Sequence, residues 1–410
     1  MSVSSSNMPQ REPVLRIGII LPIDKLKKVT ISFTDSALYE IETEKQLNPS
    51  SEAPDTLDVS VNDVDMIIRK TVDVFDEHGI TIHDVPAGRG FHWEKTIDVT
   101  APGNVYITNQ KDYLQVTNEV PLEQYLACVA VSEMSARCPS AFLEAQIMAA
   151  RSWLLANRGE NHPDLQIDVC NDDCCQRYQG MNNFSEDARQ STEACRGQVL
   201  TIKGDICDAR YSKSCGGITE AGANVWPQKD LDYLVSIEDG EPAFCGPGFI
   251  SEANLPEYLG SVDEHRSYFR WDFEILQEEL TDHMNKIHSL NGKAVLGIEN
   301  EKRGPSGRII SCDLVYLDSN NQQQSKHLES EYTIRQTLSP SFLFSSAFKM
   351  NLKNVQKGIP GSFSFEGKGW GHGAGMCQIG ALGMALNGST AESILTHYFP
   401  KAKLTRIYSS

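Results

Sequence analysis

The chain has 410 residues, of which 40% are hydrophobic and 22% are charged, a composition typical of a globular protein. Its formal net charge of −18 argues against a general nucleic-acid binder, which needs a basic face to neutralise phosphates, and disfavours adhesion to anionic membranes. No run of about 18 apolar residues occurs, so the sequence predicts no transmembrane segment.

The N-terminal part of the sequence is predicted to be rich in β-strands. Residues 1–13 are polar, and we expect them to be disordered. Residues 14–118 alternate short apolar stretches with turn signals, which is the pattern of a β-rich segment. The apolar stretch from Leu15 to Ile23 is short, contains Arg16 and lacks the features of a signal peptide. We interpret it as a strand, and the sequence leaves the localisation open.

Two helices are predicted to follow, close together in the chain. Pro121 suits a first helical turn, where its missing N–H has no partner in any case. Apolar residues then recur at helical spacing, at Leu122, Tyr125, Leu126 and Val129. Pro139 can begin a second helix, and Gly159 gives it a stop signal. Glu133 is therefore predicted to lie near the end of the first helix, at the junction between the two.

The C-terminal half is predicted to mix helices and strands. The segment from Phe269 to Ile287 has the pattern of an amphipathic helix, and residues 294–317 alternate as strands around the turn RGPSGR. A glycine-rich loop at residues 367–375 precedes a helix that is predicted to end at Leu386. Together with the β-rich N-terminal part, this pattern predicts an α+β fold.

Glu133 is the first candidate functional residue. It is flanked by an apolar helix and a turn, and burial of a carboxyl group penalises its ionised form. A glutamate in such a place can hold a proton near neutral pH and donate it to a leaving oxygen. The alternative, from residue type alone, is a helix-terminal glutamate that faces water.

Arg151 lies on the same helical stripe as the apolar residues Ile147 and Leu155. An arginine among apolar neighbours needs an anionic partner. That partner can be Glu133 or a carboxylate of the substrate, and the alternative to a functional role is a structural ion pair. A close arginine would oppose acid catalysis by Glu133, because it favours the ionised carboxylate.

A cluster of thiols lies in the irregular segment DVCNDDCCQRYQG, residues 168–180. Its cysteines are Cys170, Cys174 and Cys175, and His162 precedes the first by eight residues. Thiolate and imidazole ligands suit tetrahedral zinc, and Cys215 is a further candidate ligand from a distant part of the chain. The alternative is one disulfide plus a free thiol, since eleven cysteines cannot all pair.

The glycine-rich loop is the third candidate site. Glycines at alternate positions from 367 to 375 enclose Trp370 and His372, and they permit backbone conformations that are closed to other residues. The spacing matches no nucleotide-binding motif. An aromatic face and an imidazole suit a sugar ligand, so we predict that both residues bind substrate. The alternative is a tightly packed glycine corner with a structural histidine.

Several segments together resemble the stage II sporulation protein D and amidase-enhancer family. The run VPLEQYLACVAVSEMSARCPSAFLEAQIMAARSW resembles the opening motif of that family, and DVCNDDCCQRYQG is similar to its next block. YSKSCGG, YLVSIED and RGPSGRII resemble later blocks. GKGWGHGAGMCQIGALGMA followed by SILTHYFP resembles its closing signature. The blocks occur in family order and span residues 14 to 408.

The resemblance implies a lytic transglycosylase that cleaves peptidoglycan glycan strands between N-acetylmuramic acid and N-acetylglucosamine. The catalytic glutamate of the family matches Glu133, and its site arginine matches Arg151. Its zinc-binding block maps onto the thiol cluster, with Cys174 where a histidine is common. We also assign Gln176 and Tyr178, in the same block, to substrate binding. Relatives work outside the cytoplasmic membrane.

The resemblance also divides the sequence into one family-wide unit with five segments. Residues 1–13 form a disordered terminus, 14–118 the β-rich part, 119–245 a catalytic and metal-binding core, 246–330 a lateral inserted segment, and 331–410 a C-terminal part. The active cleft is expected between the helix end at Glu133 and the glycine loop at His372.

The alternative function is a non-catalytic protein that binds glycan or enhances a cell-wall amidase. The expected partners are accordingly peptidoglycan glycan strands and a wall amidase, without nucleic acid. If Glu133 is catalytic, Glu123 and Glu144 are expected to tolerate replacement by glutamine.

Overall fold

The structure is a computed structural model, and it describes residues 8–409 except 44–45, 51–53, 63–64, 73–74, 76–77, 91–93 and 260–266. Its fold is α+β, as predicted. The chain divides into two compact units, called unit 1 and unit 2. Unit 1 comprises Met1–Asp208, Glu257–Asp263 and Lys403–Ser410, and unit 2 comprises Ala209–Pro256 and Glu264–Ala402. Within the described ranges, every helix is too short or too polar to cross a membrane.

Unit 1 begins with a succession of strands, in agreement with the β-rich segment predicted for residues 14–118. They are β1 (Val14–Ile20), β2 (Lys28–Phe33), β3 (Tyr39–Thr43), β4 (Gln46–Ser50), β5 (Thr56–Ser60), β6 (Met66–Lys70), β7 (Ile80–Ala87), β8 (Lys95–Ala101), β9 (Asn104–Gln110), β10 (Tyr113–Pro121), β11 (Val169–Cys170), β12 (Gln198–Ile202) and β13 (Asp205–Ile206). Short 3₁₀ helices span Pro22–Asp24 and Ser36–Leu38. One sheet has the order β11-β1-β10-β9-β6-β3-β4, and a second has the order β5-β2-β7-β8.

The helices of unit 1 are α1 (Leu122–Glu133), α2 (Ser140–Asn157) and α3 (Glu186–Ala194). Pro121 and Pro139 are the N-caps of α1 and α2, so the two-helix prediction is confirmed to within two residues at each end. Both helices are buried over almost their whole length. Helices that are apolar on every side lie in a core, which explains why the polar residues on these two helices need specific partners.

Unit 2 contains further strands and most of the remaining helices. The strands are β14 (Tyr211–Ser212), β15 (Arg270–Leu276), β16 (Gly292–Arg303), β17 (Ile309–Asp318), β18 (Gln323–Leu328), β19 (Phe348–Lys353), β20 (Ser362–Lys368) and β21 (Met376–Cys377). The helices are α4 (Gly222–Val225), α5 (Leu255–Leu259, which continues into residues of unit 1), α6 (Gln277–His288), α7 (Glu331–Leu338), α8 (Gln378–Leu386) and α9 (Ala391–Tyr398). The sheets are β15-β20-β19, β16-β17-β18 and the parallel pair β14-β21.

The helix predicted from Phe269 to Ile287 is wrong in its first half. The segment forms strand β15 and then helix α6, and β15 pairs antiparallel with β20. Trp271 and Ile275 are buried and Phe273 packs against the same core, while the residues between them face outward. This alternation has a period of two, which a search for helical spacing does not detect.

The last strand of the chain returns to unit 1. Strand β22 (Lys403–Arg406) pairs antiparallel with β12, and the sheet order is β13-β12-β22. Unit 2 is therefore inserted into unit 1 in the chain order. The boundaries of the two units do not coincide with those of the five predicted segments. The division into five segments stays a prediction. Residues 1–7 of the expected disordered terminus lie outside the described residues.

Candidate functional site

Glu133 is the last residue of α1, because Met134 leaves the helix in an extended conformation. Its side chain is half-buried, and Oε1 accepts a hydrogen bond from the Arg177 backbone N–H at 3.3 Å. The preceding Ser132 hydroxyl accepts another from the Gln179 N–H at 3.0 Å. The segment after the thiol cluster thus runs beside the end of α1, and its backbone orients the Glu133 carboxyl group.

Gln176 and Tyr178 lie beneath this segment, and their side chains are only 2% and 0% exposed. Gln176 accepts a hydrogen bond from the Tyr125 hydroxyl at 3.1 Å and donates one to the Ala150 carbonyl at 3.2 Å. The Tyr178 ring stacks on Tyr125, and its hydroxyl donates to Asn118 at 2.7 Å. These contacts fix the segment against α1 and α2. They leave at most 2% of either side chain exposed, so the substrate-binding role that we assigned to them stays a prediction that this burial does not favour.

Arg151 is fully buried in α2, and its acidic partner is Glu123 rather than Glu133. Its Nε donates to Glu123 at 3.2 Å, and its Nη2 donates to the other carboxylate oxygen. The Nη1 group donates to the carbonyls of Cys195 at 3.1 Å and Gln198 at 2.8 Å. Arg151 is thus held in a structural ion pair, with a partner that the sequence analysis did not name.

Glu123 collects further hydrogen bonds, although it is only 3% exposed. Its Oε1 accepts from the Tyr408 hydroxyl at 2.6 Å and from the Gly197 N–H at 3.2 Å. A buried ion that loses its partner is strongly destabilising. This arrangement therefore revises the expectation that Glu123 tolerates replacement by glutamine. Glu144, in contrast, is half-exposed, and burial raises the pKa of its carboxyl group.

The structure brings together the four thiol-cluster residues that are close in sequence. Its four ligand atoms, from His162, Cys170, Cys174 and Cys175, all lie within 4.8 Å of one another. The Sγ atoms of Cys170 and Cys174 are 3.2 Å apart, and Cys174 Sγ is 3.8 Å from His162 Nε2. Hydrogen bonds from Cys170 and Cys174 lower the pKa of Cys175, and one from His162 adds to this effect. The three cysteines of the cluster form no disulfide bond.

These atoms are close enough together to surround a tetrahedral metal ion. Sulfurs bound to zinc at about 2.3 Å lie about 3.8 Å apart, so the Cys170 and Cys174 sulfurs would have to move apart by about 0.6 Å. Three sulfurs and one imidazole nitrogen are also a ligand set that zinc prefers. The loop that carries the thiols continues to Arg177, whose N–H donates to Glu133. A metal ion that orders the thiols would therefore also help to fix the position of the Glu133 carboxyl group.

Cys215 does not complete this cluster. It lies in unit 2, where it belongs to a second group of side chains with Asp239, Cys245 and Cys377. Sequence reasoning missed the other three, because they are separated by up to 138 residues from one another. The signal that could have found them is the position of Cys377, two residues after the glycine loop, together with that of Cys215, directly before two glycines.

The glycine loop owes its composition to tight packing within unit 2. Gly369, Gly371, Gly373 and Gly375 all have φ between +72° and +82°, a region that disfavours other residues. A Cβ atom at Gly375 would lie 2.0 Å from the Arg210 carbonyl oxygen, and one at Gly373 would lie 2.2 Å from the Arg308 guanidinium carbon. Arg308 is itself fully buried. These contacts favour the packed-corner alternative as the reason for the glycines.

Trp370 and His372 are both half-buried within that corner. The Trp370 ring stacks on Phe344, with 4.5 Å between ring centroids. His372 meets Trp226 edge-on, and its Nδ1 accepts a hydrogen bond from the Ala374 N–H at 3.1 Å. Since Nδ1 is an acceptor, the proton of the neutral ring is on Nε2.

We expect His372 to remain neutral under all ordinary conditions. Burial lowers the pKa of His372 to about 3, and repulsion from arginines, of which Arg210 is the strongest, adds to the shift. Because the folded-state pKa lies below the unfolded value, this group makes folding less favourable as the pH falls from about 6.5 towards 3. NMR titration of the imidazole nitrogens would measure the pKa of His372, whose signals are identified by their absence in His372→Gln. A midpoint at pH 6 or above would contradict the burial argument.

Glu133 and the glycine loop belong to different units. The prediction that they share a cleft therefore stays a prediction. The roles of Trp370 and His372 in substrate binding stay predictions as well.

Two family models match the chain. Residues 110–202, which contain Glu133 and the thiol cluster, match the stage II sporulation protein model, SpoIID. Residues 220–375 match a domain of unknown function, DUF8618. The first match lies within unit 1, and the second lies mostly in unit 2.

Curated relatives agree with the first match. An uncharacterised protein of Brachyspira hyodysenteriae is 28% identical over 297 residues, which cover 72% of this chain and 70% of the relative. The amidase enhancer of Bacillus subtilis is 27% identical over 293 residues, which cover 68% of this chain but only 40% of the relative. Stage II sporulation protein D of the same organism is 23% identical over 340 residues, with coverage of 78% and 83%. These similarities support membership of the chain in the stage II sporulation protein D and amidase-enhancer family.

Proposed function

We propose that the protein is a peptidoglycan lytic transglycosylase that cleaves glycan strands between N-acetylmuramic acid and N-acetylglucosamine. The observation that carries this proposal is the half-buried Glu133 carboxyl group at the end of α1, held by a backbone N–H of the adjoining loop. Family membership supports the same assignment, since the SpoIID match includes Glu133.

A single carboxyl group is sufficient for this reaction. Glu133 first protonates the bridging glycosidic oxygen, and the bond to the muramoyl C1 breaks. As a carboxylate it then accepts the proton of the muramoyl C6 hydroxyl, whose oxygen bonds to C1 and closes a 1,6-anhydro ring. Hydrolysis of the same bond normally requires a second carboxyl group to handle water or act as a nucleophile.

Other residues position Glu133 indirectly. Ser132, Gln176 and Tyr178 tie the loop to α1, and the ion pair of Arg151 with Glu123 joins α2 to the first turn of α1. We propose that zinc binds to the thiol cluster through His162, Cys170, Cys174 and Cys175. There the ion would supply a structural cross-link, whose binding energy contributes to folding.

The reaction products test the proposal. Purified protein incubated with glycan strands should release fragments that end in 1,6-anhydro-muramoyl residues, detected by mass spectrometry of the muropeptides. Reducing ends in place of anhydro ends would indicate a hydrolase and contradict the single-carboxyl mechanism. Strands both with and without stem peptides should be supplied, so that a requirement for peptide removal is not mistaken for inactivity.

The second candidate is a non-catalytic enhancer of a cell-wall amidase. It is favoured by the similarity to the amidase enhancer, although this chain spans 40% of that protein. Its signature would be intact glycan in the assay above, combined with faster release of stem peptides when a wall amidase is added. Acceleration of the amidase without any anhydro product would replace the transglycosylase proposal with this one.

Removal of the metal from the thiol cluster should disorder the loop that holds Glu133. We expect the double variant Cys174→Ser/Cys175→Ser to contain one zinc ion fewer per chain and to lose protection of the Arg177 and Gln179 amides against hydrogen exchange. Elemental analysis of protein purified without chelator, followed by exchange mass spectrometry, would measure both. An unchanged metal content, or a disulfide within the cluster, would contradict the assignment.

A further inference from the structure

A second group of potential metal ligands lies in the interior of unit 2. The Sγ atoms of Cys215, Cys245 and Cys377 and a carboxylate oxygen of Asp239 all lie within 4.8 Å of one another. None of the four side chains is more than 3% exposed. The Cys215 and Cys245 sulfurs are 3.7 Å apart, close to the separation of about 3.8 Å expected for two thiolates on tetrahedral zinc.

Backbone N–H groups point at two of the sulfurs. Cys377 Sγ accepts hydrogen bonds from the Cys215 N–H at 3.2 Å and from the Gly380 N–H at 3.3 Å. It is also the N-cap of α8, where the helix dipole favours negative charge. Cys215 Sγ accepts a hydrogen bond from the Gly217 N–H at 3.3 Å. Such donors stabilise a thiolate, which is the form that binds metal.

The carboxylate is oriented by neutral donors. Asp239 accepts hydrogen bonds from the Tyr398 hydroxyl at 2.5 Å and from the Cys245 N–H at 2.7 Å, and neither donor carries a charge. A fully buried carboxylate without a cation is costly. Carboxylates that bind metal ions are themselves oriented by hydrogen bonds from neighbouring groups, and Tyr398 provides such a bond to Asp239.

Two arginines would balance the charge of an occupied site. Three thiolates, one carboxylate and Zn²⁺ carry a net charge of −2. The guanidinium group of Arg308 donates to the Cys215 carbonyl at 3.1 Å, and that of Arg270 donates to the Gly216 carbonyl at 3.0 Å. Both therefore lie next to the cluster, and their two positive charges offset this excess.

We propose that Cys215, Asp239, Cys245 and Cys377 bind a structural zinc ion, distinct from the one in the thiol cluster of unit 1. All four tetrahedral positions are taken by protein ligands, so the site has no open position for catalysis and acts as a cross-link. Soft thiolate ligands select zinc over magnesium or calcium. The ligand atoms are also too close together to surround a cluster of several iron atoms.

A disulfide explains the cluster less well. A bond between Cys215 and Cys245 would leave the third thiol and the Asp239 carboxylate buried side by side, with only neutral hydrogen-bond donors on the carboxylate. A metal ion satisfies all four groups at once. Its position also has a consequence for the chain: Cys215 and Cys377 lie just outside the two ends of the 220–375 segment, so the ion would tie these ends together.

Metal counting on matched variants tests the proposal. We expect full-length protein purified without chelator to lose one zinc ion per chain on Cys245→Ser/Cys377→Ser. The control Cys312→Ser removes a buried cysteine of the same unit outside the cluster, and it should leave the zinc content unchanged. Because the readout is a difference from wild type, it does not depend on whether the thiol cluster of unit 1 binds metal.

Two further measurements do not require replacement of a ligand in this cluster. In Cys174→Ser/Cys175→Ser protein, X-ray absorption at the zinc edge should show three sulfurs at about 2.3 Å and one oxygen at about 2.0–2.2 Å. Tyr398→Phe keeps every ligand and should weaken zinc binding roughly 10- to 100-fold in competition with a chelator. Full zinc content in Cys245→Ser/Cys377→Ser, iron in place of zinc, or a disulfide within the cluster would overturn the proposal.

Discussion

Replacement of Glu133 by glutamine is expected to abolish the release of 1,6-anhydro products. Glutamine keeps the shape of the side chain and can still accept the hydrogen bond from the Arg177 N–H, but it cannot deliver a proton. Loss of a general acid typically lowers the rate by about 10²- to 10⁴-fold, and loss of the sole catalytic carboxyl group should be at or beyond the upper end. The rates of product release by Glu133→Gln and by wild-type protein, measured on the same glycan strands, give this fold decrease.

The matched control is Glu144→Gln. Glu144 is also half-exposed and helical, in α2 of the same unit, and its replacement should leave the rate within a few-fold of wild type. The melting temperature of Glu133→Gln should change little or rise slightly, since a charge in partly apolar surroundings is itself destabilising. Near wild-type product release by Glu133→Gln would refute the mechanism.

Replacement of Glu123 by glutamine should lower the free energy of unfolding by about 3–5 kcal/mol. Glutamine can still accept hydrogen bonds from Tyr408 and Gly197, but it leaves the fully buried Arg151 without a counter-charge. Removal of both charges in Glu123→Gln/Arg151→Met should cost less than the sum of the single changes. Chemical denaturation of the three variants and the wild type, analysed as a double-mutant cycle, would measure this coupling.

An exposed pair provides the control for that experiment. Arg189 and Glu186 form an ion pair on α3 of the same unit, where both side chains are well exposed to water. Solvent screens such a pair, so Arg189→Met should leave stability nearly unchanged. Equal effects of Glu123→Gln and Arg189→Met would show that the buried pair contributes no more than a surface one.

Features determined by neighbouring residues were predictable from the sequence. Helices α1 and α2 follow from two prolines and the apolar spacing between them. The local thiol cluster follows in the same way, since Cys170, Cys174 and Cys175 are held together by one short loop. Strand β15 was missed because its alternating apolar residues continue directly into an amphipathic helix, so the two patterns overlap.

Features created by distant parts of the chain were not predictable from a single sequence. Arg151 finds its partner 28 residues away, and the Tyr408 hydroxyl that supports the same carboxylate comes from 285 residues away. Neither spacing carries a local signal. The glycine run suggested a ligand site, but its residues approach Arg210 and Arg308, which only the folded chain brings there.

The return of β22 to unit 1 has a consequence for synthesis on the ribosome. Thr201 on β12 and Lys403 on β22 are 202 residues apart, and unit 2 is translated between them. At about 5–20 residues per second, roughly 10–40 s pass before the edge of the β12 strand can be covered. During that interval the nascent chain exposes an unpaired strand edge and lacks the Tyr408 contact to Glu123. The growing polypeptide is therefore expected to be most vulnerable to aggregation and proteolysis late in translation, although unit 1 begins to emerge first.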